Sequence, residues 1–270
     1  DAFRQVSSIS DIKLAKEDSS HIKRIDPSED QAFIKAIEKH RLHPKEAQDF
    51  GQQIKILYSS LHGCGITLIP PAFKAWGLTN YELVEAQVIP SGDFPTVKKP
   101  NPEELPALKM GIDQMVANQC DLFIANDPDA DRVGVVVMHE GKPRPLTGNE
   151  IATICLYHLA NTMQQKGLLT RNHTVVSTIV TSRLLKRIAQ DFNLHYYDVL
   201  TGFKYIGEKI HQFELEDNPH QFLFGAEESY GYLLGTHSRD KDAIVTSCFI
   251  GEMALHLKLK GLTLIDQLHD

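Results

Sequence analysis

Three aspartates stand at alternate positions in one short stretch, Asp127, Asp129 and Asp131, followed at once by Arg132. Apolar runs flank them, "DLFIA" before and "VGVVVM" after. Like charges held a few ångströms apart repel, so a loop of this kind is costly unless a cation sits among the carboxylates. An all-oxygen donor set suits a hard divalent ion, Mg²⁺ or Ca²⁺. An EF-hand loop also begins D-x-D-x-D, but it requires Gly at its sixth position and Glu at its twelfth. Here those positions hold Arg132 and Met138, and the flanks read as strands. Arg132 adds a second clue. A guanidinium beside a cation site implies a ligand with surplus negative charge, such as a phosphate.

A second dense cluster is "FGAEESYGYLLGTHSRDKD", residues 224–242. Glu227 and Ser229 offer the close-range acceptors and donors that sugar hydroxyls need. Arg239, Lys241 and, in "TGFKYIG", Lys204 supply positive charge for a phosphate.

These loops must be carried by a scaffold. Strands are expected over 54–58, 81–89, 121–125, 133–138, 174–180, 194–200 and 221–226. Helices are expected from Ser28 (with Gln31 as a capping box), from the "SSLHGCG" turn to Gly77, from Asn101 as N-cap to about Asn118, and over 149–162, 182–192 and 243–260. Another helix follows "TGFK", and 7–30 reads as irregular or extended. Strands alternating with helices predict an α/β fold, two consecutive three-layer α/β/α domains with mixed, mostly parallel sheets. The polar stretch from 161 to 173 places their junction near 163, giving domains 1–162 and 163–270. In such sheets ligands gather at the carboxyl ends of strands, where the loops after 57–60, 121–126 and 221–226 lie.

Composition narrows the function. The 270 residues carry 28 Lys and Arg against 35 Asp and Glu, a net charge of −7. That balance argues against nucleic acid or an anionic membrane as partner. No apolar run approaches the roughly 20 residues of a membrane span. Cys64, Cys120, Cys155 and Cys248 are scattered without a CxxC pair, which fits reduced thiols in the cytoplasm.

"NDPDADRVG", "TGFKYIG" and "GAEESYGY", in this order, resemble the α-D-phosphohexomutase superfamily, and "SLHGCG" is similar to its L-H-G-x-G turn. The resemblance implies that Asp127, Asp129 and Asp131 hold Mg²⁺. It puts Arg132 in the phosphoryl-transfer site and gives Glu227 and Ser229 the sugar hydroxyls. Thr201, Gly202, Phe203 and Lys204 would orient the sugar, and Lys241 would stand near the reacting groups, with Arg239 as a further substrate contact. The substrates implied are phosphorylated hexoses, glucose 1-phosphate and 6-phosphate, interconverted through a phosphoserine and a bisphosphorylated sugar. "EESYG" looks more like glucose-preferring members than the E-M-S-G-H or E-Q-S-G-H forms, with phosphomannomutase and phosphopentomutase as near alternatives. Family members have four domains, and the matching motifs are those of the second and third. The serine loop and the phosphate-gripping fourth domain have no counterpart here: "SSHI" at 19–22 lacks the Asn-Pro. The expectation is therefore a fragment that binds Mg²⁺ without turning over by itself. Two other classes remain at this point. One is an aspartate-nucleophile phosphatase of the haloacid dehalogenase type, whose D-x-D-x-[Thr/Val] pattern breaks at Asp131. The other is a non-catalytic sugar-phosphate binding module.

Overall fold

A computed structural model describes residues 3–16, 19–215 and 220–269. Two mixed sheets, each flanked by helices, form two α/β/α domains with mostly parallel strands. The first sheet has the order β2-β1-β3-β4-β5. β1 (Ile56–Ser59) lies parallel to both β2 (Tyr81–Leu83) and β3 (Leu122–Asn126). β4 (Val133–His139) and β5 (Lys142–Pro145) extend it antiparallel. The second sheet has the order β7-β6-β8-β9. β6 (His173–Thr178) is parallel to β7 (His195–Val199) and β8 (Gln221–Glu227), and β9 (Gly231–Leu234) closes the edge antiparallel.

The helices are α1 (Pro27–Ile37), α2 (Pro44–Phe50), α3 (Gly65–Ala75), α4 (Leu105–Ala117), α5 (Gly148–Gln165), α6 (Leu184–Asp191), α7 (Phe203–Leu215), α8 (Ala243–Leu259) and α9 (Leu264–His269). The Thr147/Glu150 capping box opens α5 as the spacing predicts. Gly261, at φ 75°, follows α8 in the left-handed region that favours glycine.

Several expectations are corrected. α1 is capped by Asp26, whose carboxylate accepts from Ser28 N at 2.8 Å, because Pro27 suits the first helical position and pushes the cap back. α4 begins at Leu105, not at Asn101, whose side chain instead accepts from Glu103 N at 3.0 Å in a local turn. β2 ends at Leu83, and the chain turns through a 3₁₀ segment, Glu85–Gln87, whose last side chain is buried and bonded to Ser59 and Thr96. β9 runs through residues expected to be loop, and β5 and α2 were not anticipated. The irregular segment expected over 7–30 contains a 3₁₀ turn, Ile9–Asp11, and its residues 17 and 18 lie outside the described ones.

α5, which the sequence places at the end of the first unit, packs against α6, α9, β8 and α8. α8 is buried along nearly its whole length, and it packs on α3, β3 and β4 of the first unit as well as on β9. One apolar cluster therefore runs through both units, from Ile56, Phe73 and Trp76 to Tyr232, Val245 and Phe249.

Candidate active site

The acidic loop hangs from the buried end of β3. Asn126, fully buried, anchors its base: its side chain accepts from Tyr58 Oη at 2.9 Å and donates to Arg132 O and Ser247 Oγ. Asp127 is 8% exposed, and its Oδ1 accepts from the backbone N–H groups of Asp131 and Arg132 at 3.0 and 2.9 Å. Ala130, at φ 58°, completes the reversal. One carboxylate oxygen from each of Asp127, Asp129 and Asp131 lies within 4.8 Å of the others. Burial above all, and then the neighbouring Asp131 and Asp129, pushes the Asp127 carboxyl up to about 7. A divalent cation removes that penalty, so the donor set and its electrostatics fit a hard ion.

Neighbouring elements are shaped to this loop. The turn after β1 lies against it, with Cys64 N donating to Pro128 O at 2.8 Å. A Cβ on Gly63 would stand 2.2 Å from Pro128 Cα, so only glycine permits that approach. Arg132 donates to Glu103 Oε1 at 2.7 Å, and its Nε lies 3.8 Å from both Asp127 and Asp131.

The second cluster meets the first through one side chain. Lys241 Nζ lies 2.9 Å from Asp131 Oδ2, 4.0 Å from Glu227 Oε2 and 3.7 Å from Asp240 Oδ1. Burial lowers its ammonium pKa, but Asp131, Asp240 and Glu227 outweigh that, and the net direction is up. Lys241 is therefore a charged donor at neutral pH. Gly231 makes room for it, since a Cβ there would stand 2.1 Å from Lys241 Cδ. Glu227 is buried at the end of β8, and Oε1 accepts from Gly202 N at 2.9 Å, which draws the 201–204 loop to the same place. Burial raises its carboxyl pKa, opposed by the Gly202 N–H and by Lys241.

The structure thus gathers Asp127, Asp129, Asp131, Arg132, Lys241, Glu227 and Gly202. Ser229 is half-buried just beyond Glu227, and Thr201 is exposed beside Gly202. Phe203 is buried in the apolar layer under the second sheet, not in the polar cluster. Lys204 is exposed, its ammonium 5.0 Å from the centre of the Tyr205 ring. Arg239 is turned away into a two-pronged pair with Glu214 at 2.5 and 2.6 Å. Sequence reasoning missed Glu103 and Asp240. Nothing local marks Glu103 as the partner of Arg132, whereas Asp240 adjoins Lys241 and charge alternation in "RDKD" could have flagged it.

Comparison with known proteins places the two domains in a family. The phosphoglucomutase/phosphomannomutase alpha/beta/alpha domain II matches residues 31–141, and domain III matches 147–269. The first match ends before β5 and the second begins just ahead of α5. A phosphoglucomutase of Staphylococcus aureus (strain MRSA252) is 34% identical over 261 residues, which is 96% of this chain and 45% of that protein. The chain thus spans about half the length of the curated relatives it matches. A putative phosphomannomutase from Thermus thermophilus superposes with a TM-score of 0.70 at 23% identity, over 89% of this chain and 49% of that one. An N-acetylphosphoglucosamine mutase from Aspergillus fumigatus in complex with glucose 1,6-bisphosphate superposes with a TM-score of 0.58 at 15% identity, over 89% and 49%. At such identities these two structures speak to the fold alone. The sequence matches carry the assignment further: the chain belongs to the phosphoglucomutase/phosphomannomutase family, of which it carries α/β/α domains II and III.

Proposed function

We propose that this chain forms the metal-binding and sugar-recognising centre of a cytoplasmic phosphohexomutase that interconverts glucose 1-phosphate and glucose 6-phosphate. One observation carries the reading: Lys241 spans Asp131 of the acidic loop and Glu227 of the sugar loop. A cation site and a hydroxyl-binding site so close together suit a substrate with a phosphoryl group and a ring at one centre.

Asp127, Asp129 and Asp131 are the residues that would hold Mg²⁺. When bound, the ion neutralises negative charge that develops during phosphoryl transfer. The residues of the chain do the rest. Two backbone N–H groups fix the Asp127 carboxylate before any ligand arrives. Glu103 steadies Arg132, leaving guanidinium N–H groups for phosphoryl oxygens. Lys241, held as an ammonium, donates to a phosphoryl or sugar oxygen and does not act as a base. Glu227, held by Gly202, accepts from a sugar hydroxyl, with Ser229 beside it. Recognition through hydroxyls suits a ring that must bind in two orientations while a bisphosphorylated sugar turns over. By the family resemblance the phosphoryl donor is a phosphoserine in a domain other than II and III.

The test is conversion of glucose 1-phosphate by the protein that includes the serine domain, primed with a trace of glucose 1,6-bisphosphate. We expect Mg²⁺-dependent formation of glucose 6-phosphate, and a kcat lower by about 100-fold or more in Lys241→Met. The 270 residues alone should bind Mg²⁺ without turnover. Robust mutase activity from those residues alone would overturn the assignment of the donor. Release of inorganic phosphate in place of isomerisation would overturn the mutase reading itself.

A further inference from the structure

We propose that His62, Gln87 and Thr96 are positioning residues for the acidic loop: a relay of hydrogen bonds among them holds the turn after β1 in the strained shape that supports Asp127 and Asp129. The proposal rests on the reading of that loop as the Mg²⁺ site. Leu61 and His62, consecutive and neither of them glycine, both lie in the left-handed region, at φ 46° and 64°. Such a backbone is strained, and it persists only where its surroundings over-determine it. Its effect on the loop is direct. The turn brings Gly63 against Pro128 and lets Cys64 N donate to Pro128 O at 2.8 Å. Pro128 stands between Asp127 and Asp129, so the turn bears on the spacing of two carboxylates.

Each group in the relay has one role. A carbonyl oxygen can only accept, so His62 Nδ1 donates to Ile89 O at 3.1 Å, and in the neutral ring Nε2 is left with its lone pair. Thr96 Oγ1 donates to that lone pair at 2.9 Å and accepts from Gln87 Nε2 at 2.9 Å. The Gln87 amide is thereby oriented, and its Oε1 accepts from Ser59 Oγ at 2.6 Å. Ser59 Oγ in turn accepts from Leu61 N at 3.0 Å, so the relay leaves the turn at His62 and returns to it at Leu61. The backbone is clasped beside it: His62 N donates to Gln87 O at 3.1 Å, and His62 O accepts from Ser91 N at 3.0 Å. Ser59, His62 and Gln87 are buried, so removing one partner orphans the next. The segment that Thr96 anchors runs on to Glu103, the partner of Arg132. Outer groups that fix the supports of a metal site in this way set its affinity for the ion.

The experiment compares Thr96→Val, which keeps the shape and removes the hydroxyl, with Thr96→Ser, which keeps the hydroxyl. Thr96 is half-buried and outside the apolar core, so either change leaves the fold in place. In the protein that includes the serine domain, the Mg²⁺ concentration for half-maximal activity should rise about tenfold in Thr96→Val and return to the parental value in Thr96→Ser. At saturating Mg²⁺, kcat and the KM for glucose 1-phosphate should stay within about twofold of the parent, a split that general loss of structure would not produce. Hydrogen exchange of the same proteins without metal is the second arm. The amides of Leu61 and Cys64 should exchange about tenfold faster in Thr96→Val, and those of β3 should not change. Parental exchange at the turn in Thr96→Val, a parental Mg²⁺ requirement, or failure of serine to restore either would overturn the relay. A parent whose activity needs no Mg²⁺ would instead overturn the reading of the acidic loop, and exchange at the turn would still decide the relay.

Discussion

Asp127 carries an electrostatic conflict, a carboxyl 8% exposed with two acidic neighbours. Its pKa of about 7 in the fold exceeds the unfolded value of about 4. Between those limits the folded chain binds the extra proton, so without a cation this group's contribution to stability falls as pH rises from about 4 to about 7. Asp127→Asn should remove that fall while keeping the oxygen that accepts from Asp131 and Arg132. At pH 8 without metal the variant should be more stable by about 2 kcal/mol, or roughly 5 °C in Tm, after discounting for solvent and for Arg132 and Lys241 nearby. Below pH 4 the two proteins should converge. Mg²⁺ should stabilise the parent and leave the variant unmoved. The measurement is the difference in Tm between the two proteins across pH, with and without Mg²⁺, in which other titrations cancel. A parent as stable as the variant at pH 8 without metal would contradict the burial argument.

The acidic loop is held by the turn after β1, and the hold depends on an element contact that tolerates no side chain. A methyl at Gly63 would sit 2.2 Å from Pro128 Cα and 2.4 Å from Pro128 O. Gly63→Ala should therefore cost about 1–3 kcal/mol in urea denaturation and weaken Mg²⁺ binding about tenfold, because the loop must shift to make room. Gly92→Ala, with nothing within 4 Å of the added Cβ, is the control and should change neither. The same contact explains what was legible beforehand. The acidic loop is local in sequence and stands between two apolar runs, so its residues and the hard divalent class of ion they would suit could be reasoned directly. So could the capping box of α5 and the all-round apolar α8. β9 was not legible: "GYLL" is a buried strand only because it pairs with Phe224–Glu227, and its flanking glycines read as loop. Lys241 was legible in its own loop as positive charge for a phosphate, but its place near the reacting groups came from the family resemblance, since nothing in local spacing brings it to Asp131. Arg239 failed to join the cluster for the same kind of reason: its carboxylate partner, Glu214, lies on α7 and is invisible to local pattern.

At the scale of the whole molecule, two domains of this size would by default open separately. The interior of this chain argues otherwise. α8 belongs to the second sheet by sequence, yet a Cβ on its Gly251 would meet Leu78 Cδ1 at 2.6 Å and Ile56 Cδ1 at 3.2 Å in the first domain. Leu42 N donates to the buried Glu252 of α8 at 2.6 Å. Ala243 N donates to Ala130 O at 3.0 Å, and Val133 N to Tyr230 O at 3.0 Å, so the acidic loop itself is bonded across the junction. Unfolding either domain alone would strip apolar cover from the other and leave these groups unpaired, each at a cost of about 1–3 kcal/mol. The chain should therefore unfold as one unit. Trp76, the only tryptophan, is fully buried on the first-domain side, so its fluorescence reports that domain, whereas far-UV dichroism reports the helices of both. In urea the two signals should share one midpoint. Leu255→Ala in α8 should move both together to lower urea, by about 2–5 kcal/mol. A fluorescence transition separated from the dichroism transition would mean that α8 does not couple the domains, and that the acidic loop and the sugar loop are assembled on independently folding parts.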